Sequence, residues 1–111
     1  MLTRMSPFGA LADPTRRTLV TRLAYGPATA GQLADLVQMS RPAVSQHIRV
    51  LRAAGVVRGS RDGRFIWYEL AGDRLVEAAR WLDDLIDRWA TSPTQRSPHD
   101  RSRQLSRAQQ P

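Results

Sequence analysis

The chain has 111 residues, of which 41% are apolar, enough for one modest core and no second one. Seventeen arginines, with no lysine, face ten acids for a formal charge of +7, a balance suited to a partner rich in phosphates. The absence of cysteine excludes disulfides, thiolate metal sites and thiol redox sensing within this chain. The longest apolar stretches are only a few residues, so neither a secretory segment nor a membrane span is expected, and a cytoplasmic protein is.

Ser6-Pro7 and Asp13-Pro14 each read as an N-cap followed by proline at the first helical position, where a missing N–H costs nothing. The first of these helices is short. In the second, Leu19, Val20 and Leu23 make an apolar stripe and Arg16, Arg17 and Arg22 a polar one, and Gly26-Pro27 ends it. Thr29 with Gln32 is a capping box that opens a third helix of about two turns, whose predicted buried face is Leu33, Leu36 and Val37. Met39-Ser40 forms a tight polar turn. Ser40 caps a fourth helix running to about Ala54, and Gly55 stops it. Val44, Ile48 and Leu51 fall at i, i+4 and i+7 on one face, which leaves Arg41, Pro42, Ser45, Gln46, Arg49 and Arg52 pointing elsewhere.

Val56 to Arg58 is then predicted as a short strand, Gly59 to Arg64 as a turn carrying the Asp62-Gly63 signal, and Phe65 to Leu70 as a second strand. On the second strand Ile66, Tyr68 and Leu70 share a face by the two-residue period and are expected to seal the core. Arg58, Arg61 and Arg64 are expected to crowd the hairpin tip. Asp73 is the expected cap of a last helix to about Ala90, in which Leu75, Ala79, Leu82, Ile86 and Trp89 form one stripe and Ala78, Trp81 and Leu85 a second. At about 100° per residue the combined arc is about 160°, wider than the roughly 100° that one packed interface needs, and the surplus calls for a partner. From Thr91 onward Ser, Pro, Gln and Arg dominate. The expected organisation is therefore one folded domain over residues 1–90 and a disordered basic tail over 91–111. The fold class is mainly α with a β-hairpin wing (α+β), in the order of four helices, two strands and one helix, a winged helix-turn-helix.

Residues 41–64 hold six arginines against one aspartate, whereas residues 73–90 hold three against five acids, so the positive charge coincides with the helix-turn-helix and its hairpin. Short polar side chains and guanidinium groups on the first turns of such a helix suit base edges in a major groove, and Arg41, Ser45 and Gln46 fit that task. Arg49, Arg52, Arg58, Arg61 and Arg64 fit phosphates or a narrow minor groove. His47 has no second ligand nearby and is read as structural. Neither His47 nor His99 has a nucleophile or paired carboxylate at a suggestive spacing, so no enzyme is expected.

Taken together, Ala10-Leu11-Ala12-Asp13-Pro14-Thr15-Arg16-Arg17, Ser40-Arg41-Pro42-Ala43-Val44-Ser45-Gln46-His47-Ile48, Leu51-Arg52-Ala53-Ala54-Gly55-Val56-Val57 and Gly63-Arg64 leading into Tyr68-Glu69-Leu70 resemble an ArsR-type (ArsR/SmtB) winged-helix transcriptional repressor. The resemblance implies a homodimer that binds an imperfect inverted repeat in double-stranded DNA and represses nearby genes. It implies DNA contacts at Arg41, Pro42, Ser45 and Gln46 and a wing at Arg61 and Arg64. It also implies a dimer built from the first and last helices, with Phe8, Leu11, Leu75, Ala78, Trp81, Leu82, Leu85 and Trp89 as the expected interface.

The departures are as informative. Where metal-sensing members carry paired cysteines, this chain has Thr29 and Gly31, and its last helix has no histidine to join Asp83, Asp84 and Asp87. The chain thus resembles members that work without a metal or other cofactor, released by an organic ligand, by a partner protein or by nothing beyond their own concentration. A second reading of the same residues is a winged-helix interaction module whose basic hairpin and wide apolar helix dock an acidic protein.

Overall fold

The computed structural model describes residues 5–93. The expected tail over 91–111 lies almost wholly outside the described residues. The elements are α1 (Pro7–Ala10), α2 (Pro14–Leu23), β1 (Ala28–Thr29), α3 (Ala30–Val37), α4 (Arg41–Ala53), β2 (Val57–Asp62), β3 (Phe65–Leu70) and α5 (Asp73–Thr91). They fall into two units, divided within α5 between Ala78 and Ala79.

Local chemistry sets the helix starts of the first unit. Backbone N–H groups of Gly9, Arg16 and Ala43 donate to the side chains of Ser6, Asp13 and Ser40 at 3.0, 3.0 and 3.3 Å. The capping box of α3 is complete: the Gln32 N–H donates to Thr29 Oγ1 at 3.2 Å and the Thr29 N–H to Gln32 Oε1 at 3.0 Å. At the end of α4, Gly55 takes φ +77°, its N–H donates to the Arg52 carbonyl, and the Val56 N–H donates to the Leu51 carbonyl. This Schellman geometry turns the chain directly into the sheet. At α5 the Val76 N–H donates to the Gly72 carbonyl, so Asp73 is the first helical residue and not the expected cap. Its carboxylate still complements the helix N-terminus.

The first unit closes around Leu19, Leu33, Val44, Leu51 and Val56, all fully buried, with Ile48, Val57 and Leu23 at 3% exposure. Each such side chain contributes about 1.5–3 kcal/mol of transfer free energy. Leu33 and Val37 face this core as expected, but Leu36 does not: it is 48% exposed. A short helix packed on one side has room for a narrower stripe than the i, i+3, i+4 pattern suggests.

The sheet is three-stranded and antiparallel, in the order β1-β3-β2. Its two-residue strand β1, which was not anticipated, pairs Ala28 with Tyr68 and Thr29 with Trp67. The hairpin is longer than expected. Gly59, Ser60, Arg61 and Asp62 continue the ladder against Tyr68, Trp67, Ile66 and Phe65, leaving only Gly63 and Arg64 as the loop. Gly63 has φ +65°, the positive value that a two-residue hairpin loop needs at its first position. The polar Ser-Arg-Asp run reads as a turn because this end of the hairpin is solvated on both faces. For the same reason the Ile66, Tyr68, Leu70 face seals the core only in part: Tyr68 and Leu70 pack against it, and Ile66 is 38% exposed.

Candidate nucleic-acid interface

Helix α4 divides its side chains cleanly. Val44, Ile48 and Leu51 anchor it at 3% exposure or less, and Arg41, Pro42, Ser45, Gln46, Arg49 and Arg52 are all exposed. Two grooves flank the exposed face. One, of about 290 Å³, is lined by Arg41 and Ser45, by Thr29, Ala30 and Gly31 at the start of α3, and by Arg64, Phe65, Ile66 and Tyr68 of the hairpin. The other, of about 510 Å³, is lined by Ser45, Ile48, Arg49, Arg52, Ala53 and Tyr68.

Ser45 and Tyr68 thus belong to both grooves, and four of the expected arginines, Arg41, Arg49, Arg52 and Arg64, line one or the other. Pro42 and Gln46 are exposed on α4 but line neither. Arg61 is exposed on β2 opposite Ile66. Arg58 lies toward the root of the hairpin, away from its tip, where it faces Glu69 across the ladder and its Nε donates to Glu69 Oε1 at 2.8 Å. That carboxylate offsets part of the Arg58 charge, although the pair is exposed and contributes little to stability.

Several lining residues were not legible in the sequence. At Gly31 a Cβ would sit 2.6 Å from Arg41 Nη2, so the missing side chain is what lets the Arg41 guanidinium lie over the first turn of α3. Thr29, Phe65 and Tyr68 join the grooves only because β1 and β3 pair beside α4. The one available signal was the capping box at Thr29, which fixes where α3 begins.

Behind α4, His47 Nδ1 lies 3.9 Å from Asp13 Oδ2 and 3.5 Å from Arg16 Nη1. Arg16, read from the sequence as part of a polar stripe, is partly buried. It donates from Nε to the Ala10 carbonyl at 2.6 Å and from Nη2 to the Gly9 carbonyl at 3.3 Å. The cluster ties α1, α2 and α4 together. The Arg16 N–H, aided by the charges of His47 and Arg16 and opposed by desolvation, holds the Asp13 carboxyl below its ordinary value.

The expected dimer residues are placed as follows. Phe8 is 45% exposed on α1 and Leu11 half-buried at its end; Leu75 packs against the core of the first unit, and Ala78 is half-buried. In the second unit Trp81, Leu82 and Leu85 are 57%, 41% and 47% exposed, and Trp89 is half-buried. No described helix is long and apolar enough to cross a membrane.

A helix-turn-helix domain model matches residues 11–60. The chain is 36% identical over 81 residues to the transcriptional repressor SdpR of Bacillus subtilis (strain 168), spanning 73% of this chain and 90% of that protein. It is 43% identical over 86 residues to the HTH-type transcriptional regulator Rv2034 of Mycobacterium tuberculosis, spanning 78% and 80%. Among solved structures, an ArsR family transcriptional regulator superposes with a TM-score of 0.71 at 34% identity, over 77% of this chain and 88% of its own. An ArsR-like transcriptional regulator from Rhodococcus sp. RHA1 does so at 0.72 and 29% identity, over 93% and 89%.

Proposed function

Because the chain belongs to the ArsR-type family of winged-helix, DNA-binding transcriptional regulators, we propose that it acts as a cytoplasmic homodimeric repressor on an imperfect inverted repeat. In this reading α4 of each protomer enters a major groove, where Arg41, Ser45 and Gln46 meet base edges and Pro42 fixes the first turn against the backbone. Arg49 and Arg52 hold phosphates, and Arg61 and Arg64 carry the hairpin onto the flanking backbone or minor groove. Arg58, paired with Glu69, contributes long-range field more than direct contact. Phe8, Leu11, Leu75, Ala78, Trp81, Leu82, Leu85 and Trp89 supply the dimer contacts. In this reading the protein is neither an enzyme nor a metal sensor, the latter supported by the absence of cysteine, which leaves Thr29 and Gly31 where the resemblance places paired thiolates.

The observation that carries this reading is the shared lining of the two grooves. Arg41, Ser45 and Arg64 meet in one, Ser45, Arg49 and Arg52 in the other, and α4 forms the ridge between them. Gel-shift titration against the DNA upstream of its own gene tests it. The expected result is saturable binding to half-sites about one helical turn apart, weakening steeply as salt rises. Equally weak binding to every duplex overturns it.

A further inference from the structure

Leu36, exposed against expectation, opens onto a third groove that the DNA-binding reading does not use. This groove, of about 540 Å³, runs along α2. Its apolar walls are Pro14, Tyr25 and Leu36, with Thr18 and Thr21 between them, and Arg17 and Arg22 form its cationic rim. The threonine hydroxyls are tied to helix carbonyls, Thr18 Oγ1 to Pro14 at 3.1 Å and Thr21 Oγ1 to Arg17 at 2.8 Å, so they offer little to a polar ligand. The groove is shallow and open to solvent, with Tyr25 86% exposed, so a ligand lies along it and is not enclosed.

The charge of the rim is uncompensated. Helix α2 contains three arginines and no acid. Among the described residues neither Arg17 nor Arg22 lies within ion-pair distance of a carboxylate. Each guanidinium has five donors. Arg17 uses only Nη1, toward the Leu11 and Ala12 carbonyls at 2.9 and 3.1 Å, and Arg22 only Nη1, toward the Gly26 carbonyl at 2.9 Å. Nε and Nη2 of both carry no hydrogen bond among the described residues.

We propose that this groove binds a small apolar carboxylate, its aliphatic or aromatic body on Tyr25, Leu36 and Pro14 and its carboxylate on the unused donors of Arg17 and Arg22. The same two side chains brace other elements: Arg17 holds the Leu11 and Ala12 carbonyls in the link between α1 and α2, and Arg22 holds the turn that leads into β1 and so to the hairpin strand β3. A carboxylate that draws either guanidinium away loosens those braces and lowers operator affinity. This second step rests on the DNA-binding reading, whereas occupancy of the groove does not.

The test is a titration of the full chain with octanoate, octanol and acetate, followed by amide chemical shifts. Octanoate is expected to give saturable shifts at Thr18, Thr21, Tyr25 and Leu36. Octanol is expected to bind at least about ten-fold more weakly, the difference a charge-assisted hydrogen bond supports, and acetate not measurably. Arg17→Gln and Arg22→Gln should each weaken octanoate. Leu36→Glu, at an exposed position that leaves the braces intact, should abolish its binding in a protein with an otherwise unchanged spectrum. Equal binding of octanoate and octanol, shifts centred on Trp81 and Leu85, or no saturable shift overturns the site. Octanoate binding with unchanged operator affinity overturns the link to α1 and the hairpin. Failure of the ligand-free protein to bind any operator counts against the repressor reading and leaves the groove standing.

Discussion

Helix α4 buries Val44, Ile48 and Leu51 to 3% exposure or less, whereas α5, with 19 residues against 13, buries none to that degree and leaves Trp81, Leu82, Leu85 and Ile86 between 41% and 57% exposed. Both helices are amphipathic in sequence. The difference is in what their apolar faces meet: α4 is completed inside its own unit, so its outer face is free to be wholly polar and positive. Among its described residues the second unit carries large apolar side chains and three aspartates, Asp83, Asp84 and Asp87, a set suited to association with another protein surface. One helix is completed within its own unit, and for the other the proposed partner is a second copy of the chain.

Substitutions on the two helices should therefore fail differently. The largest effect is expected for Leu51→Ala, which removes a fully buried side chain and should cost about 2–5 kcal/mol of folding stability, read from denaturant unfolding. A cost under about 1 kcal/mol would mean that α4 is not held as described. Trp81→Ala together with Leu85→Ala should instead act on association, weakening the proposed dimer by about 2 kcal/mol or more. Sedimentation equilibrium checks this: an unchanged oligomeric state would break the contrast between the helices.

Smaller effects sharpen the division within α4 and its hairpin. Gln46→Ala should cost about 1–3 kcal/mol on the operator and relax preference at one base pair. Arg64→Ala should weaken all sequences alike and reduce the salt slope by about 1, both measurable in one set of titrations. The smallest effect is expected at Asp13. Its carboxyl has a lower pKa folded than unfolded, so its stabilising contribution is fully present above the ordinary carboxylate value and is lost as pH falls through the depressed one. Comparison of the acid limb of unfolding with that of Asp13→Asn should show that loss only in the parent protein.

What the sequence made legible was local. Ser6, Asp13, Thr29 with Gln32, Ser40 and Gly55 mark helix ends through bonds that reach at most a few residues, and all of them act as the spacing suggests. The exposed set Arg41, Ser45, Arg49 and Arg52 follows from three buried anchors at helical spacing. What was not legible depends on distant partners. The strand β1 is two residues long and exists because Tyr68 and Trp67 lie opposite it. Arg16 and Gly31 take their meaning from His47 and Arg41, and Leu36 is exposed because α3 packs on one side only, which no periodicity within α3 encodes. The hairpin was read too short because a ladder solvated on both sides has the composition of a loop.

Thr29 is the last residue of β1, paired with Trp67, and also the capping residue of α3. A single residue therefore bolts the root of the wing to the start of the helix-turn-helix, and swinging the hairpin relative to α3 requires breaking either a strand pairing or a cap. In the proposed mode of DNA binding, the helix-turn-helix and the wing are already joined at this residue, so the entropic cost of engagement falls on side-chain rotamers more than on backbone.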